Sequence, residues 1–260
     1  MLCSKIYVVP DTNVWFNKRE QLFSILECYK GFITIALPHI TIDEERPETY
    51  KRAIVYKLDE KISYELFKQK LKNSVQDTMA RRFRVIQAPV PGIYGVSRYG
   101  FAYYASKNDY VVLNLAVCGY ISKGRPDYST LKNATKSLQN SGAVVANEFK
   151  KMALEIEKGA CSYDHFKTVI EVASSSCGVC NERVNSYVRR LYSILADILI
   201  ITSCIVLARR ECKPVVCVSE DKTLVSVLGE VLAKLRISNV HGYGLKGLAQ
   251  VISQLVQSFR

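Results

Sequence analysis

The 260-residue chain contains no low-complexity tract and no internal repeat period. Solenoid arrays and compositionally biased tails are therefore excluded as its organising feature. It lacks the opening of a secretory leader, because Asp11 interrupts the first apolar run too early. The nine cysteines lack the spacing of a disulfide-built domain and are odd in number. A reducing cytoplasm is the simplest reading, although cytosolic disulfides occur in hyperthermophiles. Acid is in short supply: 24 Asp and Glu against 36 Lys and Arg leave a net charge of +12. That excess suits a polyanionic partner, RNA or DNA before a membrane; a charge that merely aids solubility is the plainer alternative. Length and ordinary composition fit one large domain, or a domain with an insertion, with a sizeable core.

The stretch IYVVPDTNVWF, residues 6 to 16, reads as a buried strand that stops at Pro10 and delivers Asp11 at its end. A helix is expected over Lys18 to Tyr29, ended by Gly31. Phe32 to Leu37 reads as a second strand, closed by Pro38 and followed by the acid cluster Asp43, Glu44 and Glu45. Those acids stand where a helix would begin, and the helix dipole alone could explain them. Helices are expected over Val111 to Ile121, Ala143 to Lys158 and Asp164 to Ser174, the last capped near Ser162. Leu191 to Ala208 is the most apolar run. It could be read as membrane-spanning, but a mid-bilayer Asp197 would cost roughly 2.5–3.5 kcal/mol. The chain then passes directly into the strand-like Pro214 to Ser219, which argues for a buried helix of an α/β unit. A helix over Thr223 to Arg236, a short strand at Asn239 to Tyr243 and a helix over Leu245 to Phe259 complete the pattern. The expected architecture is a three-layer α/β/α fold around a central parallel sheet. It divides into a core of residues 1–46 and 186–260 and a mainly helical, basic insertion over 47–185.

Between Lys51 and Lys107 there are 12 basic residues against 4 acidic ones. Ile62, Leu66, Leu71 and Val75 suggest an amphipathic helix whose other face carries Lys68 and Lys72. Arg81, Arg82 and Arg84 follow, and Arg98 lies within a tyrosine-rich stretch. Cations with aromatic faces between them suit single-stranded nucleic acid; a solvated basic helix followed by a Tyr-rich core segment is the competing reading. Cys161, His165, Cys177 and Cys180 follow a C-x3-H-x11-C-x2-C spacing that could hold structural zinc. A redox pair or plain buried thiols compete with it.

Asp11 follows the first strand, the 43–45 acids follow the second, Asp197 lies within an apolar helix and Asp221 follows a later strand. Acids at the C-terminal ends of parallel strands point into one crevice. A buried lone carboxylate is costly unless paired or metal-bound, and Asp197 has no cation three or four residues away. Clustered carboxylates repel by on the order of 4 kcal/mol per ionised pair at about 4 Å and an effective dielectric near 20. Divalent cations remove that cost. Oxygen ligands with no histidine nearby favour Mg²⁺ or Mn²⁺, one ion or two.

VVPDTNVWF resembles the opening of PIN-domain nucleases. PHITIDEE is similar to their second motif, with Glu44 the best match and Glu45 and Asp43 behind it. LADILIITSCIVLARRECKPVVCVSEDKTL is similar to their third and fourth motifs, with Asp197 and Asp221 matching the acids. The resemblance covers about 1 to 46 and 186 to 245. It departs from the family in the long stretch between the second and third motifs, and in Ser203-Cys204, where a small alanine is usual. Asp109 begins an alternative third motif, without a following strand and acid. What the resemblance implies is a metal-dependent endoribonuclease. Asp11, Glu44, Asp197 and Asp221 would hold the metal, while Asn13, Ser219 and Thr12 would orient those ligands from behind. The expected products are a 5′-phosphate and a 3′-hydroxyl. RNA is the expected partner, with a protein inhibitor of the antitoxin kind or a homodimer as further possibilities, and no membrane. Competing functions are a non-catalytic nucleic-acid-binding protein on the same fold, the toxin of a toxin–antitoxin pair, and a structure-specific DNA nuclease.

Overall fold

The structure, a computed structural model, describes residues 6–38, 41, 83–88, 107–126, 132, 135–136, 143–159, 162–175 and 182–259. Five parallel strands form one sheet: β1 (Ile6–Pro10), β2 (Ile33–Leu37), β3 (Arg84–Gln87), β4 (Val215–Val218) and β5 (Val240–Tyr243), in spatial order β3-β2-β1-β4-β5. Every residue of β1, β2 and β4 is buried. That is why these strands read as unbroken apolar runs rather than alternations: a parallel sheet is covered on both faces. The helices within this sheet's compact unit are α1 (Thr12–Asn17), α2 (Arg19–Leu26), α7 (Lys222–Leu235), α8 (Leu245–Gln257) and the last part of α6 (Glu182–Glu211).

Alternation along the strands assigns the faces. Ile6, Val8, Val216 and Val218 join Trp15, Leu22, Phe23, Leu248 and Ile252 in one core, so α1, α2 and α8 cover that face. Tyr7 points the other way, where its hydroxyl donates to Glu211 at the end of α6 (3.0 Å). On that second face a Cβ at Gly242 would sit 3.0 Å from Leu228 and 3.4 Å from Val225 of α7. The expected three-layer α/β/α architecture with a parallel sheet is present.

Two local differences from expectation have physical causes. The helix expected from Lys18 forms as α2, but a separate short helix, α1, precedes it from Thr12, capped by Asp11 and divided from α2 at Lys18 (φ −129°, ψ 21°). Strand β3 lies inside the segment expected to be helical. It is a short edge strand with Arg84 exposed and Val85 and Ile86 half-buried, so it offers no long apolar run to recognise. The amphipathic helix expected around Ile62 to Val75 lies outside the described residues.

The chain divides into two compact units. The second holds α3 (Lys107–Ser122), α4 (Ala143–Glu157), α5 (Tyr163–Ser175) and the first part of α6. Its core is built from Val112, Leu113, Val117, Phe149, Phe166 and Val169, all buried. The Ser162 carbonyl and hydroxyl accept from Phe166 N (3.0 Å) and His165 N (3.4 Å), so the cap expected near Ser162 is formed. Cys118 in α3 is disulfide-bonded, which departs from the all-thiol state of the simplest reading; Cys28, Cys204, Cys212 and Cys217 are free. Among the described residues no helix is long and apolar enough to cross a membrane.

Candidate active site

Strands β2 and β3 run away from β1 on one side, and β5 runs away from β4 on the other. The order of connection therefore reverses between β1 and β4, which pair over Tyr7–Pro10 and Val215–Val218. In open parallel sheets the crevice at such a reversal, beyond the carboxyl ends of the strands, is where ligands bind. The first residues past those two ends are Asp11 and Ser219.

Asp11 is tied into the sheet, its amide donating to the Val218 carbonyl (2.9 Å). Its Oδ1 accepts from Val14 N at 2.6 Å and caps α1; aspartate is among the preferred residues there because it satisfies an orphan helix amide. Its Oδ2 accepts from the Ser219 hydroxyl. The same hydroxyl oxygen accepts from Asp221 N (3.0 Å), so Ser219 links the two acids. Asp221 in turn caps α7, with Oδ1 accepting from Thr223 N at 2.6 Å.

The carboxyl of Asp11, only 6% exposed, is held above the usual aspartate range. Burial is the main cause; the Ser219 and Val14 bonds pull it down, and the nearby charges of Asp221 and Glu220 push it further up. Glu220 was passed over in the sequence as one of two adjacent acids. Its carboxyl is held low, first by the Leu245 amide of α8, which donates to Oε1 at 2.8 Å, and also by the charges of Lys18 and Lys246. Lys18 Nζ lies 3.5 Å from Glu220 Oε2. Glu220 thus has its own compensation, while Asp11 is buried just past the strand end with Asp221 near enough to act on its charge.

The other candidate residues are placed as follows. Asn13 is on the exposed side of α1, where its Oδ1 accepts from Asn17 Nδ2 (2.7 Å); Thr12 is the first residue of that helix. Asp197 belongs to the second unit and is half-buried, and its Oδ2 accepts from the Tyr120 hydroxyl at 3.0 Å. Tyr120 is fully buried, so Asp197 also serves to satisfy a core hydroxyl. Glu44, with Asp43 and Glu45, lies outside the described residues, as do Lys68, Lys72, Arg81, Arg82 and Arg98. Of the zinc candidates, Cys161, Cys177 and Cys180 lie outside as well. His165 stands between two carboxylates, Nδ1 2.5 Å from Glu155 and Nε2 3.7 Å from Glu148.

Among the described residues no group of three or more His, Cys, Asp or Glu is arranged to hold a metal ion. Mg²⁺, however, keeps several waters and is commonly bound through one or two carboxylates plus substrate phosphate. The Asp11–Asp221 pair fits that demand: the donors are hard oxygens, and a carboxyl pushed up by burial first, and then by acidic neighbours, is a group a cation would stabilise. No family model, no curated protein and no solved structure matches this chain.

Proposed function

We propose that this protein is a Mg²⁺- or Mn²⁺-dependent endoribonuclease of the PIN type. The observation that carries the reading is the pair of acids, Asp11 and Asp221, joined through Ser219 at the carboxyl ends of the two central strands. The +12 charge of the chain supports a nucleic-acid substrate. In this reading Asp11 and Asp221 hold the ion. Bound there, the ion supplies Lewis acidity and a water of lowered pKa. The chain's own residues do three things. Two helix caps fix the carboxylates, Ser219 sets their spacing, and the buried strand ends keep bulk water from competing for Asp11. Arg84 and the basic residues of 47–107 would track the phosphates of RNA. A cytoplasmic setting goes with that substrate, and the Cys118 disulfide fits the cytosol of a hyperthermophile rather than an ordinary reducing one.

Asp11→Asn and Asp221→Asn, assayed on single-stranded RNA with Mn²⁺ or with EDTA, test the reading. Each is expected to lose cleavage and keep RNA binding. Normal cleavage by Asp11→Asn overturns the site. A non-catalytic nucleic-acid-binding protein on this fold is the second reading, favoured by the Tyr120–Asp197 bond, which gives that acid a packing role. It requires that the wild-type protein bind RNA and leave it intact with Mn²⁺ present.

A further inference from the structure

The carboxyl edge of the sheet carries one more feature that the acid site does not use. Tyr243 ends β5 and pairs in register with Val218, which pairs with Pro10. The three residues stand in one row, and Asp11, Ser219 and Gly244 are the next residues beyond it. With strands about 4.8 Å apart, Tyr243 lies about 10 Å along that edge from β1. Its backbone is fixed to the site, since its carbonyl accepts from Ser219 N at 3.0 Å.

The Tyr243 side chain is 38% exposed, the one large exposed apolar side chain among the described residues of this unit. It lies on the face covered by α8, and its ring rests on that helix's first turn. A Cβ at Gly247 would sit 3.0 Å from the ring's Cδ1, so glycine makes the seat. Among the described residues the ring has no aromatic partner and the hydroxyl no hydrogen bond. Two cations stand at the same edge: Lys18, on Glu220 at 3.5 Å, and Lys246, whose charge also acts on Glu220. Gly244 leaves room for that carboxylate, since a Cβ there would sit 3.2 Å from Glu220 Oε1.

An exposed aromatic ring on a rigid strand end, on an edge that also holds the two cations about Glu220, has the chemistry of a stacking platform for an unpaired base. We propose that Tyr243 stacks one base of single-stranded RNA beside the acid pair, while Lys18 and Lys246 take the phosphates that flank it. The inference rests on the nucleic-acid reading of the same site and names where the strand lies. The edge that carries Asp11 and Asp221 would then be reached by the backbone only a nucleotide or two from the stacked base. Double-stranded substrates would be disfavoured, because their bases are already stacked.

The test measures binding by the full-length protein in EDTA, so that no cleavage enters. Two probes are used: an oligoadenylate of about ten nucleotides and inorganic polyphosphate, which carries the charge without bases. Tyr243→Ala is expected to weaken oligoadenylate binding roughly tenfold and leave polyphosphate binding unchanged. Tyr243→Phe, which keeps the ring, is expected to bind both probes as the wild type does. Lys18→Gln and Lys246→Gln are expected to weaken both probes, each reducing the salt slope by about 0.7. Tyr243→Ala acting equally on both probes, or on neither, overturns the platform, as does wild-type protein that binds oligoadenylate no better than polyphosphate. Should Tyr243→Ala fold poorly, that last comparison in the wild type and the behaviour of Tyr243→Phe still decide the matter. The nuclease reading fails separately: loss of stacking on Tyr243→Ala with no Mn²⁺-dependent cleavage by wild type leaves the platform standing and removes the enzyme.

Discussion

Replacing Asp11 with asparagine removes a charge and almost no volume, so it isolates what the buried carboxylate costs the fold. The cap survives, because asparagine and aspartate serve α1 about equally well and Oδ1 can still accept from Val14 N. The bond with Ser219 reverses and becomes neutral, because Nδ2 replaces Oδ2 and donates to the Ser219 hydroxyl oxygen, a loss of about 1 kcal/mol. Against this, the desolvation of the carboxylate disappears, and so does its repulsion with Asp221 and Glu220, each on the order of 1 kcal/mol or more in a partly screened site. The balance favours the variant by about 1 kcal/mol in metal-free protein at neutral pH, a rise of roughly 2–4 °C in Tm for a chain of this size. The pH dependence has a definite sign. The folded-state value of Asp11 lies above its ordinary 3.8, so the folded protein binds this proton more tightly than the unfolded chain does. The stability that this contributes is complete below the unfolded value and is lost as pH rises through the folded one. The advantage of Asp11→Asn should therefore be full at neutral pH and vanish toward acid. Scanning calorimetry in EDTA across that range measures it. An excess of Mn²⁺, at about a hundred times its Kd, should stabilise the wild type by roughly 2.7 kcal/mol and Asp11→Asn far less. An Asp11→Asn protein less stable than wild type at neutral pH in EDTA refutes the reasoning and makes Asp11 a structural cap.

Ser219→Ala removes a hydroxyl that donates to Asp11 and accepts from Asp221 N. It should cost about 2 kcal/mol, seen in urea as a lower midpoint with an unchanged m-value, and it should weaken Mn²⁺ binding by freeing the two acids from each other. Glu220→Gln removes a carboxylate whose folded-state value is depressed below 4.5. The wild-type contribution is present above that value and lost as pH falls through the folded one, so the protection factor of the Leu245 amide, its exchange taken against the intrinsic rate at each pH, should fall in acid. In the variant that pH dependence should disappear; persistence would mean that Glu220 does not hold the start of α8.

The strands that form the centre of the sheet were legible because burial on both faces leaves β1, β2 and β4 as apolar runs with sharp ends at Pro10, Pro38 and Ser219. Asp11 and Asp221, just beyond the ends of β1 and β4, were legible for the same reason. Other features depended on contacts that no local window contains. Asp197 looked partnerless because only neighbours three or four residues away were weighed, while its hydrogen-bond donor, Tyr120, is 77 residues earlier. The start of α1 was hidden because Asp11 does two jobs, helix cap and crevice acid, and its residue type announces only that it is polar. Strand β3 was hidden by its arginine and its half-exposed edge position. Glu220 was overlooked because its partners, Lys18 and the Leu245 amide, come from opposite ends of the chain.

The pairing of β1 with β4 sets a schedule for protein synthesis. The Ser219–Asp11 bond closes a loop of 208 residues, and β4 must slot between a strand from the first dozen residues and one from the last two dozen. Until Ser219 and Asp221 have been made, a nascent chain holds Asp11 with neither of them to face it. Closing so long a loop is a late event in folding. The site proposed above would therefore be incomplete until both ends of that loop have been made and brought together.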